Sequence, residues 1–219
     1  MNQIGEGYVQ VGRLNPSISF YINEKTEHKV VIKRILITQG FKELAVYKRI
    51  NQLCLNGVPK LLDYWMDERY LYLKISHMAG ISLNRIHEPS HAALKRHFID
   101  RFDQVIFFAE QMLKNFHRTG YLHLDIKPEN LMLDETLNLT LIDFGVSAAS
   151  TEQQTNGGTL AFMAPEAVHM TAPVDELSDA FSLGMSLKYV VEGEISRLSR
   201  SGLERLSELC HQDKKLRRY

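Results

Sequence analysis

What the chain lacks narrows its class before any motif is considered. Only two cysteines, Cys54 and Cys210, occur among its 219 residues, and they stand far apart. That excludes a small scaffold stapled by disulfides, and both lie in apolar helical patterns that read as buried thiols in a reducing compartment. Net charge is missing too, since 26 basic residues balance 26 acidic ones. Nothing in that balance favours nucleic acid or an anionic membrane, and neither is expected as a partner. The basic run Lys214-Lys215-Leu216-Arg217-Arg218 reads as a solvated stretch. No uninterrupted apolar run approaches the ~18 residues of a membrane-spanning helix. The first residues lack the basic and then apolar pattern of a cleavable leader, so a cytoplasmic location is expected. Internal repeats and low-complexity stretches are also missing.

What is present suits one soluble globular domain over residues 1–219, with 44% apolar and 24% charged residues. Its first part is strand-rich. Strands are expected at Tyr8–Val11, Ser17–Ile22, Lys29–Lys33, about Lys60–Trp65 and Tyr70–Ile75, with a helix from Phe41 to Leu53. Near Met78–Gly80 the pattern turns helical. One long amphipathic helix is expected from His91 to Thr119, an apolar helix from Asp175 to Glu192, and a further amphipathic helix from Ile195 to Leu209. Short strands at Leu131–Leu133 and Leu139–Ile142 bracket a turn. The fold class is therefore α+β and bilobal: a five-stranded antiparallel lobe over about 1–77 and a helical lobe over about 78–219.

The chemistry concentrates in His123-Leu124-Asp125-Ile126-Lys127-Pro128-Glu129-Asn130. Phosphoryl transfer to a hydroxyl needs an oriented acceptor, a metal, neutralised phosphate charge and in-line geometry. Asp125 can orient or deprotonate the acceptor. Lys127 can neutralise the transferring group, and the amide oxygen of Asn130 can ligate magnesium. Asp143-Phe144-Gly145 adds a carboxylate on a tight turn, a hard oxygen ligand for the same ion.

These runs, followed by Ala164-Pro165-Glu166, resemble the signatures of the eukaryotic-type protein kinase family. The resemblance implies a two-lobed fold, ATP and Mg2+ as cofactors, and a protein substrate. Lys127 with Thr159 is similar to the serine/threonine-specific branch. Val30-Val31-Ile32-Lys33 resembles the family's third strand, which makes Lys33 the cation for the ATP phosphates and Glu43 the helix glutamate that holds it. By position, Val31 and Met132 would sandwich adenine, Ile75 would guard the back of the pocket, and Ser76, His77 and Met78 would form the hinge. Leu61, Tyr47, Phe144 and His123 would stack across the lobes, anchored by Asp179.

The departures from the family are as informative. The phosphate-covering loop is best placed at Gly12-Arg13-Leu14-Asn15-Pro16-Ser17, with Gly12 and Ser17 against the nucleotide, and only its first glycine remains. Leu124 replaces the arginine that normally receives an activation-loop phosphate, which implies activity without loop phosphorylation. Little chain follows the Asp179 helix, and Arg197, Arg200 or Arg205 would have to pair with Glu166. Such a compact member is similar to reduced kinases that bacterial pathogens deliver into host cytoplasm. One of these, the HopBF effector family, would imply the host's ninety-kilodalton heat-shock chaperone as substrate. A monomer is expected. Two other readings stay open at this point: a pseudokinase that binds without turnover, and a small-molecule phosphotransferase of similar fold.

Overall fold

A computed structural model describes residues 4–152 and 157–219. By its internal contacts the chain divides into two compact units. One holds the residues up to Cys54 together with Pro59–Met78, and the other holds Leu55–Val58 with Ala79–Tyr219.

The first unit is an antiparallel sheet of β1 (Tyr8–Asn15), β2 (Ile18–Asn23), β3 (Lys29–Leu36), β4 (Leu61–Met66) and β5 (Tyr70–Ser76), with α1 (Ile37–Gln52). The spatial order is β1-β2-β3-β5-β4. Because side chains alternate along a strand, the register sorts them onto two faces. Val31, Lys33 and Ile35 lie opposite Ile75, Leu73 and Leu71. Helix α1 packs on that face, so closely that a Cβ on Gly40 would come within 2.7 Å of Leu71 Cδ2. Arg34 lies opposite Tyr72, and Ile32 opposite Lys74, on the other face.

Two expectations for this unit change. β1 does not end at Val11 in a phosphate-covering loop. It runs through Gly12 to Asn15, with Gly12 opposite Phe20 and Asn15 opposite Ile18. The result is a plain hairpin with bulges and a Pro16-Ser17 tip, in which the Ser17 amide is already bonded to Asn15 Oδ1 at 2.8 Å. The helix expected from Phe41 begins four residues earlier, at Ile37, and Phe41 itself is half exposed at 52%.

The second unit is mainly helical. Its elements are β6 (Ile81–Ser82), α2 (Ala92–Asp100), α3 (Phe102–His117), β7 (Tyr121–Leu122), β8 (Leu131–Leu133), β9 (Leu139–Leu141), β10 (Ala148–Ala149), α4 (Pro165–His169), α5 (Glu176–Val190) and α6 (Arg200–Leu209). The long helix expected from His91 is broken at Arg101, whose backbone leaves the helical region with φ −116° and ψ 23°. The break lets Asp100 accept from Arg197 at 2.9 Å and Asp103 from Ser199 at 2.7 Å. The chain from Ile195 is likewise a short 3-10 turn and then α6, capped by Ser199. Helix α5 starts at a capping box in which Asp175 and Ser178 bond each other's backbone amides. Cys54 is exposed and Cys210 partly so, against the reading of both as buried.

The partner of Glu166 is none of the three arginines expected. Arg197 and Arg200 bond nearby acids, and Arg205 bonds Glu110 on α3. Arg217 holds Glu166 instead, through two bonds of 2.6 and 2.8 Å. Its side chain is fully buried, with its guanidinium 4.7 Å from the centre of the Phe181 ring. The run read as a solvated basic stretch thus contains an interior ion pair. Burial works to raise the Glu166 pKa, but the bonds from Arg217 and Ser178 outweigh it and hold the group ionised, below its ordinary value. Removing one member of a buried pair strands the other, at a cost of about 3–5 kcal/mol. Arg217→Ala is therefore expected to lower the denaturant midpoint sharply. Arg217→Lys should recover only part of the loss, because an ammonium cannot make both bonds. Equal midpoints for wild type and Arg217→Ala would show that the pair does not stabilise the fold.

Candidate active site

The first unit contributes a cation on a strand. Lys33 Nζ bonds Glu43 Oε1 at 2.8 Å, with the glutamate side chain only 2% exposed. The ten-residue separation closes because β3 runs straight into α1 at Leu36, with no intervening loop. Val31 shares the face of Lys33. Of the proposed hinge, the Ser76 amide is bonded to the Lys60 carbonyl and the His77 amide to the Lys29 carbonyl. Ser76 Oγ also accepts from the Lys60 amide at 2.8 Å.

In the second unit the loop after β7 is held from beneath by a buried carboxylate. Asp179, 1% exposed, accepts from the His123 amide at 2.7 Å and the Leu124 amide at 2.8 Å. It also bonds His117 Nε2 at 2.9 Å. Behind His117, the Tyr219 hydroxyl meets Nδ1 at 2.5 Å. Leu124 takes a left-handed φ of 64°, a conformation costly for a side chain with a Cβ, and the two amide bonds to Asp179 hold it there.

His123 is a single neutral tautomer. Its Nδ1 accepts from the Asp125 amide, so its Nε2 carries the proton and donates to the Ile142 carbonyl at 3.1 Å. Its ring meets Phe116 and Phe144 edge-on, while those two stack in parallel at 5.3 Å. These contacts tie the His123 loop to the Asp143 turn. Asp143 itself sits at φ 65° with Oδ1 accepting from the Gly145 amide at 3.2 Å.

The polar centre is compact. Asp125 Oδ2 lies 2.7 Å from Lys127 Nζ, and Asp125 Oδ1 accepts from the Thr159 hydroxyl at 2.7 Å. Lys127 donates to that same hydroxyl at 2.9 Å. Asn130 Nδ2 donates to the Asp125 carbonyl at 2.9 Å, which leaves its Oδ1 as the atom suited to a cation. Gly158 brings Thr159 in: its φ is 124°, and a Cβ there would lie 2.8 Å from the Leu124 carbonyl. Met132 pairs with Thr140 across β8 and β9.

The donor set fits a hard cation shared with phosphate. Asn130 and Asp143 offer one amide oxygen and one carboxylate, and no cluster of three metal-ligating acids, histidines or cysteines occurs among the described residues. Magnesium is bound in that way, through few protein oxygens plus phosphate and water. The sequence did not reveal His117, Tyr219 or Arg217 as parts of the supporting network. Only the spacing of His117 on the apolar face of α3 could have hinted at the first.

A protein kinase domain model matches residues 3–218, and the chain belongs to that family. Membership implies ATP and a divalent metal ion. The chain is 32% identical over 190 residues to serine/threonine-protein kinase CLA4 of Candida albicans, covering 81% of this chain and 19% of that protein. It is 27% identical over 186 residues to CBL-interacting protein kinase 2 of Oryza sativa subsp. japonica, covering 78% of this chain and 40% of that one. It therefore spans less than half the length of these relatives. The solved structure of the Cydia pomonella granulovirus kinase PK-1 matches with a TM-score of 0.78 at 17% identity, over 96% of this chain and 90% of that one, which shows a shared fold.

Burial lowers the His123 pKa below its usual 6.5, against the opposing pull of Asp179. An imidazole kept neutral in the fold contributes stability that is fully present above 6.5 and is lost as pH falls below it. Half-buried His77 acts in the same sense. For Asp179, burial works to raise the pKa, but the bond and charge of His117 outweigh it, so the value falls below 3.8 and that contribution is lost only in stronger acid. Unfolding free energy measured in urea should thus decline in two stages from neutral to acid pH. His123→Gln should flatten the first stage and leave the second. An unchanged first stage would refute the assignment.

Proposed function

We propose that this chain is an active serine/threonine protein kinase that uses Mg2+ and ATP and works without activation-loop phosphorylation. The observation that carries it is the Asp125 carboxylate, which already receives an aliphatic hydroxyl from Thr159 beside the Lys127 ammonium. A serine or threonine acceptor presents the same group. Relatives named as serine/threonine-protein kinases, such as CLA4, point to the same acceptor class.

In this reading Asp125 orients the acceptor hydroxyl and takes its proton on a carboxylate oxygen. Lys127 neutralises charge as it builds beside Asp125. Lys33, fixed by Glu43, pairs with the α- and β-phosphate oxygens. Asn130 and Asp143 would hold the metal through their side-chain oxygens. By family position, Val31, Met132, Ser76 and Met78 would be contacts for the adenine, and Gly12 and Ser17 contacts for the phosphates. Bound Mg2+ and ATP supply the phosphoryl group and the screening of its negative charge.

Independence from loop phosphorylation is supported by the surroundings of Leu124. The side chain is 8% exposed and packs with Leu122, Ala148 and Val174. Apolar packing replaces a cationic receiver, so a phosphate arriving nearby gains no partner from this position. Delivery into a host cell and a heat-shock chaperone substrate rested on the short stretch after α5. No residue of the site adds support to them, and they are not carried further. The bonded state of the Ser17 amide gives the pseudokinase reading its one structural argument.

One assay separates these readings. With labelled ATP, Mg2+ and a generic serine/threonine protein substrate, the wild type should transfer phosphate. Asp125→Ala should lose about 10²–10⁴-fold in kcat, and Asp143→Ala should be comparably impaired. Nucleotide binding with no transfer by the wild type would favour the pseudokinase. A second prediction concerns the loop: replacing Ser150, Thr151 and Thr155 together by alanine should keep most activity, although Thr155 lies outside the described residues. Ser147 is excluded because its buried hydroxyl donates to the His123 carbonyl. Near-complete loss in the triple variant would refute phosphorylation independence.

A further inference from the structure

We propose that the outer face of the five-stranded sheet carries an anion-binding groove that docks a phosphorylated serine or threonine side chain of a protein partner. The groove has a volume of about 360 Å³ and is lined chiefly by Arg13, Ser19, Ile32, Arg34, Trp65 and Tyr72. The ladder places these residues together. Arg13 lies opposite Ser19 and Ser19 opposite Ile32, while Arg34, Tyr72 and Trp65 form the next rung. Lys33 and helix α1 lie on the opposite face, and of the residues assigned to the nucleotide Ser17 alone borders the groove.

Its charge is positive. Among the described residues, Arg13 Nε reaches the Ser19 hydroxyl alone, at a long 3.4 Å. The Arg34 guanidinium rests on the Tyr70 ring at 4.6 Å, and among the described residues its buried Nε has no hydrogen-bond partner. Among the described residues neither arginine forms an ion pair with a carboxylate. The single acid lining the groove, Asp67, is held ionised by neutral donors and draws on the charge of Arg34, which leaves the groove one net positive charge. Its Oδ1 accepts from the Arg69 amide at 2.8 Å and the Tyr70 amide at 2.7 Å, and its Oδ2 from the Tyr72 hydroxyl at 2.7 Å. Two guanidinium forks facing one groove suit a group with several terminal oxygens, because each fork can make paired bonds to phosphate.

The observations favour a protein side chain over a nucleic acid or a lipid surface. Trp65 is stacked on Tyr72 at 5.4 Å and 5°, so one face of its ring is already taken. Two arginines in a chain of zero net charge make a local receptor and not a broad basic field. The volume suits one side chain with its flanking backbone.

The test is titration of the isotopically labelled full chain, followed by amide chemical shifts, with a short alanine-glycine peptide bearing one central phosphoserine. Parallel titrations use the same peptide with serine or glutamate, and vesicles containing anionic lipid. Saturable shifts centred on Arg13, Ser19, Arg34 and Tyr72 with the phosphopeptide alone are the expected result. Arg13→Gln, at an exposed position, should weaken that binding at least tenfold while leaving the thermal midpoint unchanged. Arg34→Gln should weaken it further. Absence of shifts, equal response to the glutamate or serine peptide, binding to vesicles in place of the phosphopeptide, or an unaltered affinity in Arg13→Gln would each overturn the proposal.

Discussion

The second unit is organised around one buried carboxylate. Asp179 sits in the first turn of α5 with 1% exposure, where an ion without partners would be prohibitively costly. Two backbone amides and one imidazole meet that need. The requirement works in both directions. The carboxylate must be bonded, and the amides it takes belong to His123 and Leu124, the segment that makes a left-handed turn at Leu124. Asp125 follows directly from that turn. Its direction is therefore set by a residue that does no chemistry, and the polar chain continues outward through His117 to Tyr219.

The first unit solves a different problem with less material. A lysine on a strand is flexible, and its ammonium needs a fixed counter-charge to hold one position. Running β3 into α1 without a loop removes the slack, and Gly40 lets the helix settle onto Leu71 so that Glu43 faces Lys33. The sequence reading anticipated the pair but had no means of knowing why so short a connection suffices. Strand alternation and helix spacing were enough to foresee the five strands, α1 and α5. Asp125, Lys127, Asn130 and Asp143 were legible because their spacing reflects a local turn geometry that few residue types satisfy.

What was not legible depended on contacts distant in sequence. Gly12 looked like the start of a phosphate-covering loop because glycine permits such a turn. Cross-strand pairing with Phe20 nevertheless continues β1 through Gly12 to Asn15, with bulges along the way. Lys214 to Arg218 looked solvated because charge runs usually are. Burial of Arg217 follows from Glu166, 51 residues earlier, and from the apolar ring of Phe181, neither of which the local pattern displays. The break at Arg101 carries no proline or glycine signal. It is explained only by Asp100 and Asp103 meeting side chains from the region of α6.

Arg217 and Tyr219 together show how the segment after α6 holds the loops of the helical unit in place. Glu166 follows the segment that presents Thr159, and Arg217 fixes it against the start of α5 through both of its oxygens. Two residues on, Tyr219 reaches the imidazole that supports Asp179. One short segment thus grips both sides of the same helix terminus: the first turn of α4 at Glu166 and the carboxylate under His123. Because both contacts are polar and enclosed, each is far stronger intact than with one partner missing, and the two are coupled through α5. Loosening this segment would therefore disturb the orientation of Asp125 and the seating of Thr159 together.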